Sequence, residues 1–527
     1  MIKDFTILLF GLTLFIGCRQ STEPAQQNEA VNQSYNEPHR PQFHFSPEAK
    51  WMNDPNGMVY YEGEYHLFYQ YYPDSTVWGP MHWGHAVSTD LVHWEHLPIA
   101  LYPDNLGLIF SGSAVVDWNN TTNFGSTDNP PLVAMYTYHN MEGEKMGKHD
   151  FQTQGIAYSL DKGRTWEKYD DNPVIPNTEN IHDFRDPKVF WNDATKNWVM
   201  ILAANDRVKI YNSKDLLTWE HTSDFGLGHG SQARPWECPD LFKMTTQDGE
   251  EKWVMLVSIG NRIGINAPNG GTGTQYFVGE FDGKTFTNTQ SKVKTSWIDY
   301  GRDNYAGVTW SDIPQDDGRR LFIGWMSNWD YAQVVPTKTW RSAMTLPRSL
   351  TLHRNADGYL LHSTPVTELS GIRNNTYEIK QTTIETNLDL SEKINPAQAE
   401  LILEIKPNEA TTNFGIELSN TNGEVYRVGY DVMNNQYYSD RTRAGKVDFS
   451  EFFAKKIHTA VRNSNNKTIR LHLFFDTASA ELFADNGATV MTDIYFPDTD
   501  FSQIKVFTEG GAIELNGSCY DLTSIWK

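Results

Sequence analysis

Asn53-Asp-Pro-Asn-Gly-Met-Val-Tyr-Tyr61 is a polar opener that runs directly into an apolar strand, and the aromatic segment 65–72 follows it. Openers of this kind, each followed by a β-branched or aromatic partner segment, recur four more times at intervals of about 50 to 75 residues. Such repeats, with about four strands each, are typical of blades around a central channel. The sequence therefore predicts a five-bladed β-propeller. The other four openers are Phe110–Asp117, Phe184–Phe190, Trp236–Phe242 and Asn304–Trp310.

The repeat stops after Trp329, and from about Gly371 the pattern changes to short alternating strands with Asn, Asp and Gly turns. Leu401–Lys406 and Ile469–Phe475 are examples. This spacing predicts an antiparallel β-sandwich. The predicted fold class is thus all-β, with an N-terminal propeller over 43–340, a linker over 341–370 and a C-terminal sandwich over 371–527.

The N-terminal apolar run Thr6–Gly17 is too short to span a membrane but has the length of a signal sequence. Phe15-Ile-Gly-Cys18 resembles a lipobox, in which the cysteine becomes lipidated. We therefore expect residues 1–18 to be a lipoprotein signal with a lipid anchor on Cys18, and 19–42 to be a polar tether. A plain secretory signal and a chance hydrophobic start are the alternatives. Both signal interpretations predict export.

The charge pattern narrows the class of partner. The net charge is −22, and no block of Lys and Arg could neutralise a row of phosphates. Nucleic-acid binding is therefore not expected, and a neutral carbohydrate fits an acidic surface better than a polyanion does. His82 and His85 lack zinc-like spacing, and Cys238 and Cys519 lie far apart in sequence, so we predict no metal, no cofactor and no disulfide.

The propeller openers are unusually acidic. They contribute Asp54, Asp186 and Glu237, and openers converge at one mouth of a propeller channel. A cluster of carboxylates in one pocket is costly unless it has a task. Asp54 and Asp186 each precede a proline, however, so they could instead be turn formers. Spacing alone leaves both interpretations open.

The strings Trp51-Met-Asn-Asp-Pro-Asn-Gly57, Phe184-Arg-Asp-Pro187 and Glu237-Cys-Pro239, in this order and ahead of a sandwich, resemble glycoside hydrolase family 32, the β-fructosidases. The resemblance extends from about Arg40 to Lys527. It implies a retaining mechanism in which Asp54 is the nucleophile and Glu237 is the acid/base. Asp186 would stabilise the transition state.

The same resemblance implies a set of substrate contacts. We expect Cys238, in contrast, to point to the opposite face of its strand from Glu237 and to be a buried thiol. Asp303 and Tyr305 are the weaker candidates, for which a structural role is an equal alternative. The expected contacts are Trp51, Met52, Asn53, Gln70, Trp78, Phe110, Ser111, Arg185, Trp325, Asp303 and Tyr305.

The sequence indicates the type of bond, a β-fructofuranosidic bond, more clearly than the polymer that contains it. Ile109–Asp117 and Trp340–Arg348 resemble the levanase and exo-inulinase branch more than the invertases, so a fructan of the levan or inulin type is the predicted substrate, with sucrose as a further one. An invertase, a fructosyltransferase or a catalytically silent carbohydrate-binding lipoprotein are alternatives. Exo or endo action, oligomeric state and the role of the sandwich stay open.

Overall fold

The computed structural model describes residues 35–526 except 264–266 and 357. The predicted signal segment, Cys18 and the tether up to residue 34 lie outside the described residues. Within the described part of the chain, no helix is long and apolar enough to cross a membrane. The fold is all-β, as predicted, with five sheets of four or five strands followed by two six-stranded sheets.

The first five sheets are the blades of the propeller. The first strands of consecutive blades contact one another in a closed ring, and the first strand of blade 5 contacts that of blade 1. We call these the inner strands. The strands are Lys50–Tyr61, Glu64–Tyr72, His82–Ser88 and Glu95–Leu101 in blade 1; Leu108–Val116, Leu132–His139, Gln152–Ser159 and Glu167–Lys168 in blade 2; Phe184–Asn192, Asn197–Ala204, Arg207–Ser213 and Glu220–Phe225 in blade 3; Arg234–Thr245, Glu251–Ile263, Gly273–Phe281, Phe286–Asn288 and Ser296–Trp297 in blade 4; and Tyr305–Thr309, Arg320–Trp325, Arg348–Asn355 and Gly358–Pro365 in blade 5.

The predicted linker over 341–370 is wrong. Arg348–Asn355 and Gly358–Pro365 are the outer strands of blade 5, and Trp340–Arg341 pairs in parallel with the start of the first inner strand. The outer strands of blade 5 are only partly buried, so they lack the continuous apolar run that marked the other blades. The propeller therefore extends to about residue 365.

The two remaining sheets pack face to face as the predicted antiparallel sandwich, around a core of aliphatic and aromatic side chains. Three short helices, Met141–Lys145, Ala332–Val334 and Thr367–Ile372, lie in connections of the described chain. The sandwich strands are Arg373–Ile384, Ile513–Leu522, Ala399–Pro407, Ile469–Asp476, Ser479–Ala484 and Thr489–Ile494 in one sheet, and Asn387–Asp389, Gln503–Glu509, Asn413–Ser419, Val425–Asp431, Gln436–Arg443 and His458–Val461 in the other.

The predicted tether ends earlier than residue 42. Tyr35 stacks on Trp526 with ring centroids 4.1 Å apart, and Arg40 is buried against Tyr35 and Trp340. The backbone amide of Gln42 donates to Asp476 of the sandwich. These contacts bury aromatic and guanidinium surface, so the chain is packed from Tyr35 onward.

Candidate active site

A β-bulge at the same place in every inner strand shapes the site. The ladder shifts register around Asp54, around Asp186 and directly after Glu237, and it shifts again in blades 2 and 5. In blades 3 and 4 the bulge contains a proline, which cannot donate to a ladder, and in blade 1 a proline directly follows the bulge. A bulge breaks the alternation of side chains and re-aims them. Three carboxylates thereby reach one mouth of the channel.

A cavity of about 300 Å³ opens at that mouth. Its wall combines the three carboxylates with amide, hydroxyl, imidazole and aromatic side chains, a mixture that suits a polyhydroxylated neutral ligand. The lining residues are Asn53, Asp54, Gln70, Trp78, Phe110, Ser111, His139, Glu144, Phe151, Gln152, His182, Asp183, Arg185, Asp186, Glu237, Trp329 and Gln333.

Asp54 is held by two donors that fix both of its oxygens. Oδ1 accepts from Asn53 Nδ2 at 3.1 Å, and Oδ2 accepts from Ser111 Oγ at 3.1 Å. Burial raises the pKa of Asp54 to about 6, and the negative charge of Glu237 acts in the same direction. The carboxylate is thus oriented, and it is less stabilised than one in water.

Asp186 lies in the left-handed backbone region, with φ of 64°, and its side chain is buried. Its backbone amide donates to Thr137 Oγ1 at 3.0 Å, and its Oδ2 accepts from the backbone amide of Cys238 at 3.0 Å. Burial raises the pKa of Asp186 to about 7, although the Arg185 guanidinium opposes that rise. Strained backbone of this kind persists where the surrounding structure enforces it, often at functional sites.

Glu237 is held by a cation on one oxygen and a phenol on the other. Its Oε1 accepts from Arg185 Nη2 at 2.8 Å and from Nε at 3.2 Å, while Tyr305 donates its hydroxyl to Oε2. Arg185 is also paired with Asp183 at 2.6 Å. The Glu237 side chain keeps 19% of its surface exposed, so it is oriented by these contacts and still accessible from the cavity.

The expected orientation of Cys238 is wrong. Its Sγ lies 3.6 Å from Oδ2 of both Asp54 and Asp186, so the thiol contacts both carboxylates. The strand alternation used for the prediction fails because Cys238 lies in the bulge, with φ of 44°. Burial raises the pKa of the thiol well above its ordinary value. Cys238 is therefore a buried, protonated thiol.

Six of the predicted substrate contacts line the cavity, although their contact with a substrate stays a prediction. Phe110 stacks on His139 with centroids 4.2 Å apart, and Trp78 meets Phe110 edge to face. Together these rings form one aromatic wall. The six residues are Asn53, Gln70, Trp78, Phe110, Ser111 and Arg185.

The other five predicted contacts do not line the cavity. Trp51 and Trp325 are fully buried and pack against Trp329, which does line the cavity. Met52 is likewise fully buried.

Tyr305 is also buried and reaches the site only through its hydroxyl on Glu237. Asp303 is buried in an ion pair with Arg441 of the sandwich. Asp303 does not line the cavity, and its two carboxylate oxygens accept hydrogen bonds from the buried Tyr331 and Arg441.

Several lining residues were not predicted. Trp329 ends the string that begins at Gly324, so an aromatic residue four positions after Trp325 was the available signal. His139 ends the second strand of blade 2, and Glu144, joined to it by a hydrogen bond of 3.0 Å, lies in the following connection, which carries no repeat signal. The residues that sequence reasoning missed are His139, Glu144, Phe151, Gln152, His182, Asp183, Trp329 and Gln333.

A nucleophilic carboxylate and a carboxyl acid that face one small sugar-sized cavity are the chemical requirements for cleaving a glycosidic bond. The propeller and its site therefore define a glycoside hydrolase. Residues 44–365 match the glycosyl hydrolases family 32 N-terminal domain, and residues 368–526 match the family 32 C-terminal domain. The chain belongs to glycosyl hydrolase family 32.

Similar proteins carry more specific names. A levanase of Bacillus subtilis (strain 168) is 48% identical over 498 residues, which cover 93% of this chain and 72% of the levanase. An extracellular exo-inulinase of Aspergillus awamori is 38% identical over 525 residues, 94% of this chain and 96% of its own length.

Solved structures show the same fold. The crystal structure of the exo-inulinase from Aspergillus awamori superposes with a TM-score of 0.83 at 36% identity, covering 93% of this chain and all of the other. The β-fructofuranosidase from Schwanniomyces occidentalis complexed with fructosyl-erythritol has a TM-score of 0.80 at 32% identity, with 92% and 98% covered. Propeller and sandwich are both included in these matches.

Proposed function

We propose that this protein hydrolyses β-fructofuranosidic bonds in fructans, and in sucrose, with retention of anomeric configuration. The observation that carries the proposal is the arrangement of Asp54 and Glu237 in one small cavity, each with both oxygens held by named donors. The levanase and exo-inulinase names of the similar proteins support a fructan as the polymer.

Asp54 attacks the anomeric carbon C2 of the terminal fructose, which breaks the bond to the leaving oxygen and forms a covalent fructosyl-enzyme. Glu237 transfers its proton to that leaving oxygen. In the second step Glu237 removes a proton from water, and the water oxygen replaces Asp54 at C2. Asn53 and Ser111 hold Asp54 in line, while Arg185 and Tyr305 hold Glu237.

Asp186 accepts hydrogen bonds from sugar hydroxyl groups, and these bonds strengthen as positive charge develops on the ring. Its buried position removes competing water, so each such bond counts for more than it would in solvent.

The size of the cavity favours attack at a chain end. About 300 Å³ is the lower limit of ordinary ligand pockets, and a cleft for a long chain would be larger. We therefore propose exo action, with fructose released one unit at a time.

Export and anchoring belong to the same proposal. The apolar run Thr6–Gly17 and Cys18 support an exported protein held at a membrane by a lipid on Cys18. Its partners would be a neutral fructan and the membrane, with no nucleic acid. Radiolabelled palmitate incorporation that disappears in Cys18→Ala would test the anchor.

The test is a time course of products from levan, inulin and sucrose. Exo hydrolysis releases fructose alone, whereas a ladder of oligosaccharides would mean endo action. Growth of oligosaccharides in sucrose with little free fructose would mean a fructosyltransferase. Polarimetry or NMR in the first minutes detects β-fructofuranose under retention, and early α-fructofuranose would refute the mechanism.

Two variants separate catalysis from binding. Asp54→Ala and Glu237→Ala should lose fructose release by about 10³-fold or more while they still bind fructan. Unchanged release in either variant would refute the catalytic role of that carboxylate, and the absence of release by the intact protein would leave the silent carbohydrate-binding alternative standing.

A further inference from the structure

The segment 299–304, directly before the fifth inner strand, is seated on the sandwich. The backbone amide of Asp303 donates to Thr492 O at 3.0 Å, and the amide of Ile494 donates to Asp303 Oδ2 at 3.0 Å. A Cβ on Gly301 would lie 2.1 Å from Thr492 O, so only glycine allows this approach. The position of the segment before the fifth inner strand is thus set by its contacts with the sandwich backbone.

Arg441, on the sandwich strand Gln436–Arg443, completes that contact. It is fully buried, and its Nη1 donates to Asp303 Oδ2 at 2.6 Å. Its Nη2 donates to the Tyr331 hydroxyl at 2.8 Å, and that hydroxyl donates to Asp303 Oδ1 at 2.5 Å. Carbonyl groups of Phe453 and Ile494, each at 2.9 Å, hold the guanidinium in place. Only the planar fork of arginine serves all these acceptors at once.

Asp303 and Tyr331, the two partners of Arg441, each lie close in sequence to residues of the active site. Tyr305, two residues after Asp303, donates its hydroxyl to Glu237 Oε2. Tyr331 lies between Trp329 and Gln333, which line the cavity. A displacement of Asp303 therefore moves the phenol that orients the general acid, and small displacements of reacting groups cost large factors in rate.

We propose that Arg441 is a positioning residue for the general acid Glu237, acting from the sandwich through Asp303 and Tyr305. The inference rests on the proposed function, because it assigns the sandwich a role in that reaction. It means that the second domain does more than stabilise the propeller: it fixes the hydrogen bond on which proton transfer to the leaving oxygen depends.

The chain offers a matched control within the sandwich. Arg462 pairs with Asp485 at 2.7 Å, and Tyr437 donates to the same carboxylate at 2.7 Å, which repeats the Arg–Asp–Tyr chemistry of Arg441. The acceptors of Arg462 are all residues of the sandwich. Arg441→Lys and Arg462→Lys each keep the positive charge and lose the fork.

The experiment measures kcat and KM of the full chain on a fructan and on a nitrophenyl β-fructofuranoside, whose leaving group needs little protonation. Arg441→Lys should lose about tenfold or more in kcat on the fructan and less than about threefold on the aryl substrate. Arg462→Lys should lose less than about threefold on both. Melting temperatures of the two variants are compared to separate stability from catalysis.

Tyr331→Phe decides the question if Arg441→Lys does not fold, because it removes only the hydroxyl that bridges Arg441 Nη2 and Asp303 Oδ1; its control is Tyr437→Phe. Equal losses on both substrates, or the same pattern in the Arg462 and Tyr437 controls, would overturn the inference. Non-additive losses on combining Tyr331→Phe with Tyr305→Phe would support it. If the wild-type protein hydrolyses neither substrate, it is the proposed function that fails.

Discussion

At the scale of single residues, the site places acidic groups where ionisation is costly. Asp54 and Asp186 share contacts with the Cys238 thiol and have raised pKa values because they are buried near other carboxylates. Arg185 limits the excess charge by pairing with Asp183 and Glu237. The buried carboxylates thus lower the stability of the fold and make the site more reactive, as is common at active sites.

The first prediction concerns the pH dependence of activity. Asp54 must be ionised to attack, and burial raises its pKa to about 6. The acid limb of kcat/KM should therefore lie near pH 6, with activity falling as the pH drops through that value. Initial rates on sucrose between pH 3 and pH 8 measure it. An acid limb near pH 4, the ordinary range of a carboxyl group, would contradict the electrostatics described above.

The second prediction concerns the stability cost of Asp186. Its pKa is raised in the folded state to about 7, so its contribution to stability is full below about pH 4 and is lost as the pH rises through 7. Asp186→Asn cannot ionise and avoids that loss. Relative to wild type, the variant should gain about 4 kcal/mol in unfolding free energy between pH 4 and pH 8. Urea unfolding at both pH values is the measurement, and a difference that does not change with pH would refute the prediction.

At the scale of elements, the repeated bulge explains how an inner strand of the propeller can contain an Asp-Pro sequence. Proline is excluded from regular central strands because it cannot donate to the ladder. In blades 3 and 4 the proline lies in the bulge, where no ladder donor is needed, and in blade 1 it directly follows the bulge. The turn-former interpretation was thus half right, since the prolines mark irregular backbone that lies within strands.

The third prediction concerns Gly57 in the first inner strand. It has φ of 57°, and a Cβ there would lie 2.6 Å from the Trp83 ring and 2.8 Å from Phe68. Gly57→Ala should therefore lower the unfolding free energy by about 1–3 kcal/mol more than Gly63→Ala. Gly63 is a matched control because its φ is also positive, at 91°, and nothing lies within 4 Å of its Cβ position. Equal losses in thermal unfolding would show that backbone strain alone explains the glycine.

At the scale of the whole molecule, propeller and sandwich are joined by buried charges. Arg348 of blade 5 pairs with Asp299 at 3.0 Å and with Glu481 of the sandwich at 2.6 Å. His44 lies between Asp476 and Glu481, at 2.8 and 3.0 Å. Buried charges are tolerated only in such well-paired networks. Each domain would therefore contain unpaired buried charges if the other domain were absent.

The fourth prediction concerns His44. Burial lowers the pKa of its imidazole, but the hydrogen bonds to Asp476 and Glu481 outweigh burial and raise the pKa to about 9. A histidine whose folded pKa is raised contributes stability that is full below about pH 6.5 and is lost as the pH rises through 9. His44→Gln should lower the unfolding free energy at pH 6 by about 3 kcal/mol, and the deficit should shrink toward pH 10. Urea unfolding across that range tests it, and a deficit that is constant with pH would contradict the charged state of His44.

The sequence by itself determined the fold class and the identity of the three carboxylates. Five openers at regular intervals specify blades, and three of them contribute Asp54, Asp186 and Glu237, each one or two residues before a proline. These features are local in sequence, and a local pattern of strand and turn residues can be recognised without knowing which strands pair with one another. The strands over 348–365 were missed because their half-exposed pattern resembles a connection.

Only the tertiary structure decided which side chains meet. Cys238 faces the carboxylates because a bulge cancels strand alternation, and Asp303 faces the sandwich because Arg441, 138 residues later, neutralises it. His139 and Trp329 reach one cavity from different blades. Such contacts depend on long-range packing and on backbone irregularities, and neither leaves a periodic signal in the sequence.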